Sequence, residues 1–385
     1  MIPYGRQDIP EADIEAVVAV LRSDWLTQGP AVPRFEETVA RYCGAEHGVA
    51  VNSATSALHL ACLALGVGKG DRVWTSPNTF VASANCALYC GATVDFVDTD
   101  SRTYNLSVEA LSAKLRQARA GNRLPKVVIP VHFAGQSCDM RAIGRLADEY
   151  GFSVIEDASH AVGGRYLDKP IGRCRYSDIS IFSFHPVKVI TTGEGGMALT
   201  NRTDLATSMK RLRSHGITRD PSELTAGSHG PWYYEQLELG FNYRMTDLQA
   251  ALGGSQMTRL DAYVERRRAL AARYDGLLAG LPLQTPWQSP ETASAWHLYV
   301  VRLSQRAGGI GRKEIAESLR GAGIGTNVHY IPVHTQPYYR DLGFREGMFP
   351  EAESYYAEVL TLPLFPNLTE AQQDHIVREL RRALG

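Results

Sequence analysis

The sequence predicts an α/β fold on a mostly parallel central sheet, followed by a smaller C-terminal α/β unit. Two observations carry this. From about residue 46 onward, short apolar runs alternate with stretches of helical periodicity, the pattern of βαβ units. Near residue 250 the alternation gives way to a long helical stretch, then one strand and two helices. The chain is therefore read as two domains, residues 1–250 and 251–385.

The elements follow in order. "GVAVN" (48–52) reads as a strand, and "SALHLACLAL" as a helix with Leu58, Ala61, Cys62 and Leu65 at helical spacing. "DRVWTS" (71–76) is a strand and "VASANCALYCG" a helix that Gly91 ends. "TVDFVD" (93–98), "KVVIPV" (126–131) and "FSVIE" (152–156) are strands, with "MRAIGRLADEYG" a helix between the last two. "DISIFSF" and "GMALT" close the series. The stretch from "TDLQAALGGSQM" to "DGLLAGL" reads as long helix with a candidate break at Gly253-Gly254; "WHLYVVRL" is a strand, "RKEIAESLRGAG" and "EAQQDHIVRELRRAL" helices. "TRDPSELTAGSHGPW" (218–232), rich in Gly, Pro and Ser, is expected to be flexible surface. In a parallel sheet ligands bind at the carboxyl ends of the strands, so residues just past the strands are the ones to inspect.

Composition narrows the functions. Among 385 residues, 40 Lys and Arg nearly cancel 41 Asp and Glu, a formal net charge of −1. Nothing in that balance points to nucleic acid. Acidic residues occupy the N-terminus where a signal peptide needs an apolar run, and no apolar stretch approaches a membrane span. The six cysteines are scattered among apolar neighbours with no CxxC pair, as expected of reduced thiols in a cytoplasmic protein with no metal site.

The chemistry centres on Lys188, alone in the apolar, aromatic stretch "FSFHPVKVITTGEGG" (182–196). Thirty-one residues earlier the strand "FSVIED" runs out at Asp157. Asp157 is either a turn or cap residue or half of a pair. An Asp and a Lys on neighbouring strand ends suggest pyridoxal 5′-phosphate (PLP): the amine forms a Schiff base with the aldehyde, and the carboxylate keeps the pyridine nitrogen protonated. Phe184, Pro186 and Val187 would partly desolvate the lysine and lower its pKa. Ser53-Ala54-Thr55-Ser56, between a strand and a helix, suits a phosphate and equally suits plain N-capping. Ser183 can add a hydroxyl. "TTGEGG" lacks the Gly-Lys-Ser/Thr of a P-loop and reads as a turn beside the lysine. Phe80, after "DRVWTS", is a candidate to stack on the ring or an ordinary core aromatic. His160, one helical turn beyond Asp157, either orients that carboxylate, covers the ring or packs.

These pieces, in this order, resemble the sugar aminotransferases of the DegT/DnrJ/EryC1/StrS family. The resemblance runs from "DWLTQGPAVPRFEE" through "VNSATSALHLA", "EDASHAVGG", "SFHPVKVITTGEGG" and "GFNYRMTDLQAALG" to "HYIPVHTQPYY" and "LPLFPNLTE". It implies a fold type I, aspartate-aminotransferase-like enzyme whose large domain binds PLP. It implies that Lys188 is the cofactor lysine, Asp157 the partner of the pyridine nitrogen, Ala54 and Thr55 the phosphate cradle, Ser183 the phosphate hydroxyl and Phe80 the stacking ring. His160 stands where many members have Gln. Asn242, in "GFNYR", matches an asparagine that reaches the phosphate from the neighbouring subunit, so a homodimer with shared active sites is expected. Several segments look most like the branch that aminates C4 of a UDP-linked 4-keto-6-deoxy-N-acetyl sugar with L-glutamate as donor, leaving 2-oxoglutarate and UDP-4-amino-4,6-dideoxy-N-acetyl-β-L-altrosamine, a precursor of pseudaminic acid. Thr27, Gln28, His215, His329 and Tyr330 are candidate substrate contacts; His329 and Tyr330 read equally well as packing. The alternatives are C4 or C3 aminotransfer to a dTDP- or GDP-linked keto sugar, a PLP-dependent sugar dehydratase, and a non-catalytic protein on the same fold. Family dehydratases have His at the lysine position, so Lys188 argues against them.

Overall fold

Seven short apolar runs pair into one sheet: β1 (His47–Val51), β2 (Arg72–Thr75), β3 (Thr93–Phe96), β4 (Val127–Ile129), β5 (Ser153–Asp157), β6 (Ile179–Ser183) and β7 (Gly196–Thr200). A computed structural model describes residues 1–303 and 311–385. The strand order is β1-β7-β6-β5-β4-β2-β3. Pairings β2–β3, β2–β4, β4–β5 and β5–β6 are parallel; β7 runs antiparallel to β6 and β1. The seven runs read as strands before residue 250 are these seven.

β4, β6 and β7 are buried at every position, because helices cover both faces. The first four helices are α1 (Glu11–Leu21), α2 (Ala31–Cys43), α3 (Ala54–Ala64) and α4 (Ala82–Tyr89). Neighbouring residues of one strand take opposite faces. Ile181 of β6 packs with Leu58 of α3 and Ala84 and Ala87 of α4. Phe182 packs with Val32 and Phe35 of α2 on the other side. Ser53 fixes the start of α3: its backbone is extended and its hydroxyl accepts the Ser56 N–H.

The break expected at Gly253-Gly254 does not occur there. Helix Asp247–Met257 runs through both glycines, and a second helix, Leu260–Leu277, begins after Thr258 and Arg259. A Cβ on Gly253 would stand 2.6 Å from both the Phe35 ring and the Thr192 methyl. Gly253 therefore serves close packing against α2, not chain breaking. Loop 218–232 lies at the surface, as expected, and the N–H groups of Thr225 and Ala226 donate to the Glu235 carboxylate at 2.7 and 2.9 Å.

A three-stranded antiparallel sheet, Leu283–Gln284, Tyr299–Leu303 and Val359–Leu362, packs with the helices Arg312–Gly321 and Glu370–Leu384 around Tyr299, Val301, Leu319, Leu362 and Leu380. Helix Leu260–Leu277 serves both cores. Leu260, Tyr263 and Val264 belong to the large sheet's cluster, and Leu270, Ala271 and Tyr274 to the small sheet's.

Candidate active site

β5 ends on Asp157 and β6 on Ser183. The strands are adjacent and parallel, so both side chains arrive at one edge of the sheet. Past β6 the chain turns, and the Lys188 N–H donates to the His185 carbonyl at 2.9 Å. Lys188, Asp157, Ser183, Ala54, Thr55, Phe80, His160, His329 and Tyr330 all line one cavity of about 910 Å³. Residues far apart in sequence are thus brought together as read from the strand ends.

One wall is the N-terminus of α3. Its first-turn amides, Ala54 and Thr55, have no intrahelical acceptor. β7 passes unusually close: a Cβ on Gly196 would stand 2.5 Å from the Ser53 carbonyl and from the Ala54 nitrogen. The "TTGEGG" segment is therefore more than a turn, because its last glycine lets β7 run against the start of α3.

Asp157 is 5 % exposed. The Ser83 hydroxyl donates to its Oδ2 at 2.6 Å, and the Ser159 N–H donates to its Oδ1 at 3.1 Å. These groups orient the carboxylate, which corrects the reading that His160 does so. His160 is engaged elsewhere. The Ala134 N–H donates to His160 Nδ1 at 3.2 Å, which places the imidazole proton on Nε2. That proton points to the Tyr330 hydroxyl oxygen, 3.0 Å away. His160 thereby holds Tyr330 in the cavity wall.

Burial pushes the half-buried Lys188 ammonium down to about 8, against a weaker upward pull from Asp157. Burial, reinforced by the Lys188 charge, also pushes His160, His297 and His329 downward, so these imidazoles are neutral near pH 7. Among the described residues that line the cavity, Lys188 is the only lysine or arginine. Phe80 keeps 59 % of its surface exposed although it is a large aromatic. The cavity offers what PLP requires: an amine with a lowered pKa, a fixed carboxylate, free amides and hydroxyls for a phosphate, and an uncovered flat ring.

A family model for the DegT/DnrJ/EryC1/StrS aminotransferase family matches residues 7–381. The chain belongs to this family. SpsC of Bacillus subtilis, described as a spore coat polysaccharide biosynthesis protein, is 41 % identical over 383 residues, covering 99 % of this chain and 96 % of that protein. PseC of Helicobacter pylori, an aminotransferase in the biosynthesis of pseudaminic acid, has a solved structure that matches with a TM-score of 0.90 at 30 % identity, covering 100 % of this chain and 99 % of that one. Spr1654 of Streptococcus pneumoniae, solved in a PLP form, matches with a TM-score of 0.88 at 30 % identity, covering 100 % and 98 %. DegT/DnrJ/EryC1/StrS aminotransferases depend on PLP, and this cavity fits it.

Four sequence-predicted residues stand apart. Thr27, Gln28, His215 and Asn242 are exposed and do not line this chain's own cavity. Thr27 forms a β-bridge with Thr246, and Asn242 one with Ser214. The His215 N–H donates to the Phe241 carbonyl at 2.8 Å. This pairing sets Thr27, Asn242 and His215 on exposed backbone outside the cavity of their own chain. Sequence reading also missed Ser83, Thr79 and His297, which line the cavity. The available signal was the polar run in "TSPNTFVAS", placed after a strand and at the start of an otherwise apolar helix.

Proposed function

We propose that the protein transfers the amino group of L-glutamate to C4 of a UDP-linked 4-keto-6-deoxy-N-acetylhexosamine, giving UDP-4-amino-4,6-dideoxy-N-acetyl-β-L-altrosamine and 2-oxoglutarate. The observation that carries aminotransfer is the pairing, in one cavity, of a lysine whose ammonium is pushed down to about 8 with a carboxylate fixed by two donors. The sugar rests on the likeness to PseC at a TM-score of 0.90 and 30 % identity and on the sequence segments resembling that branch.

In this reading Lys188 anchors the cofactor and carries the proton at the amino-bearing carbon, as base and then as acid. When bound, PLP supplies the electron sink that makes that carbon acidic. Asp157 holds the proton on the ring nitrogen. The Ala54 and Thr55 amides and the Ser183 hydroxyl bind the phosphate, Phe80 stacks on the ring, and His160 supports the ring side through Tyr330. His329 and Tyr330 face the sugar.

A cofactor phosphate and a nucleotide diphosphate bring several negative charges to a cavity with one Lys and no Arg among its described lining residues. Charge must then come from groups outside this cavity, and the resemblance of exposed Asn242 to an asparagine that reaches the neighbouring subunit's phosphate supports a homodimer in which Asn242, with Thr27, Gln28 and His215 nearby in the exposed segments, completes the partner's site. A second reading has one observation in its favour: SpsC, at 41 % identity, is more similar in sequence than PseC. It would place the amine at C4 or C3 of another nucleotide-linked keto sugar.

The test incubates the enzyme with glutamate and a panel of UDP-, dTDP- and GDP-linked keto sugars and reads product stereochemistry by NMR. The UDP-linked 4-keto N-acetyl sugar should be aminated fastest and at C4. Faster turnover of a dTDP- or GDP-linked sugar overturns the first reading in favour of the second.

A further inference from the structure

The carboxylate of Asp157 is the end of a short chain of buried hydroxyls. Ser83, in the first turn of α4, is fully buried, and Thr79, in the loop before it, is 2 % exposed. Their oxygens are 2.8 Å apart. The Ser83 proton is directed to Asp157 Oδ2 at 2.6 Å, so Thr79 is the donor in the Thr79–Ser83 bond. The order is Thr79 to Ser83 to Asp157. The last link has the length of a charge-assisted O–H···O⁻ bond, and a donor that is itself receiving a hydrogen bond is polarised further.

The backbone of Asp157 is held on both sides: its N–H donates to the Pro130 carbonyl at 2.9 Å and its carbonyl accepts the His132 N–H at 3.0 Å. What the main chain leaves open is rotation of the carboxylate. Ser83 and the Ser159 N–H close it, one on each oxygen. A carboxylate has about four acceptor positions, so each oxygen keeps a lone pair free.

We infer that Ser83, supported by Thr79, is a positioning residue that sets the angle at which Asp157 meets the ring nitrogen of the cofactor. This rests on the PLP reading of the site above. The competing account is local: two hydroxyls buried near an apolar helix need partners, and Asp157 is the acceptor at hand. That account leaves the ring nitrogen indifferent to Ser83.

The experiment loads apo-protein with PLP labelled with ¹⁵N in the ring. It measures the ring ¹⁵N resonance, the dissociation constant for PLP, and the melting temperature of the apo form. In Ser83→Ala the resonance should move toward that of unprotonated pyridine and PLP should bind roughly 10- to 100-fold more weakly, the loss of a hydrogen bond to a charged group. Ser83→Thr keeps a hydroxyl on the same carbon and should restore both. Thr79→Val keeps the shape, leaves Ser83 in place and should move both readings the same way by less, so it carries the test if Ser83→Ala does not fold. A ring resonance and affinity equal to wild type in Ser83→Ala or, if that variant does not fold, in Thr79→Val overturn the inference. A wild-type protein that binds no PLP overturns the cofactor reading itself, which separates the two failures.

Discussion

Lys188→Met tests whether this lysine is kept for chemistry at the expense of the fold. Methionine has a similar length and no charge. The Lys188 ammonium falls from 10.5 to about 8 on folding, mainly through burial, which corresponds to about 3 kcal/mol disfavouring the protonated folded state. The side chain is partly open to the cavity, so solvent screening reduces this to about 1–3 kcal/mol. The folded value lies below the unfolded one. Below pH 8 both states hold the proton and the penalty is complete; between pH 8 and 10.5 the folded state sheds it and the penalty fades. The apo form of Lys188→Met should therefore melt higher than apo wild type at pH 7, by about 2–4 °C per kcal/mol at most for a chain of this size. Most of that gain should be gone by pH 10. In the PLP-loaded protein the same variant should lose amino transfer by several orders of magnitude. Calorimetry of the apo forms at pH 7 and pH 10, with a glutamate half-reaction assay, reads both. Equal melting at pH 7, a gain undiminished at pH 10, or near-normal turnover refutes the reasoning.

Other outcomes follow from the same geometry. Asp157→Asn should weaken cofactor binding and slow the glutamate half-reaction sharply; normal stopped-flow rates would reduce Asp157 to a turn residue. His160→Gln can both accept from the Ala134 N–H and donate to Tyr330, so it should keep turnover within about tenfold, whereas His160→Leu breaks both bonds and should lose substantially more. Steady-state kinetics of the two variants decide this, and equal losses would contradict it. Asn242→Glu and Lys188→Ala homodimers should each be inactive, the first because a carboxylate faces the cofactor phosphate. Dissociated, mixed and reassembled at equal amounts, they should regain about a quarter of wild-type activity, because about half the dimers each hold one intact site. No recovery despite demonstrated exchange would place Asn242 outside a shared site.

Asp157 was legible in the sequence because a strand delivers its last residue to a known edge, and Lys188 because few arrangements other than a PLP site put a lone lysine in an apolar segment just past the neighbouring strand. The strands buried at every position, β4, β6 and β7, were legible as short, largely apolar runs, because both their faces are covered. Gly253 shows the limit of local reading. As a residue type it signals a break, and only the nearness of Phe35 and Thr192 turns it into a packing residue within a continuous helix. His160 was placed correctly beside the site, but its partners, Ala134 and Tyr330, lie 26 and 170 residues away. Ser83 is 74 residues from Asp157, and nothing in either neighbourhood names the other. The sequence by itself determined the strand series, several of the helices, an aspartate at one strand end and a lysine just past the next strand, because those depend on periodicity and on chain length between neighbours. Only the tertiary structure decided which hydroxyl holds the carboxylate, which tautomer His160 adopts and which candidate residues fall outside the cavity, because hydrogen bonds between distant segments are set by how the layers pack.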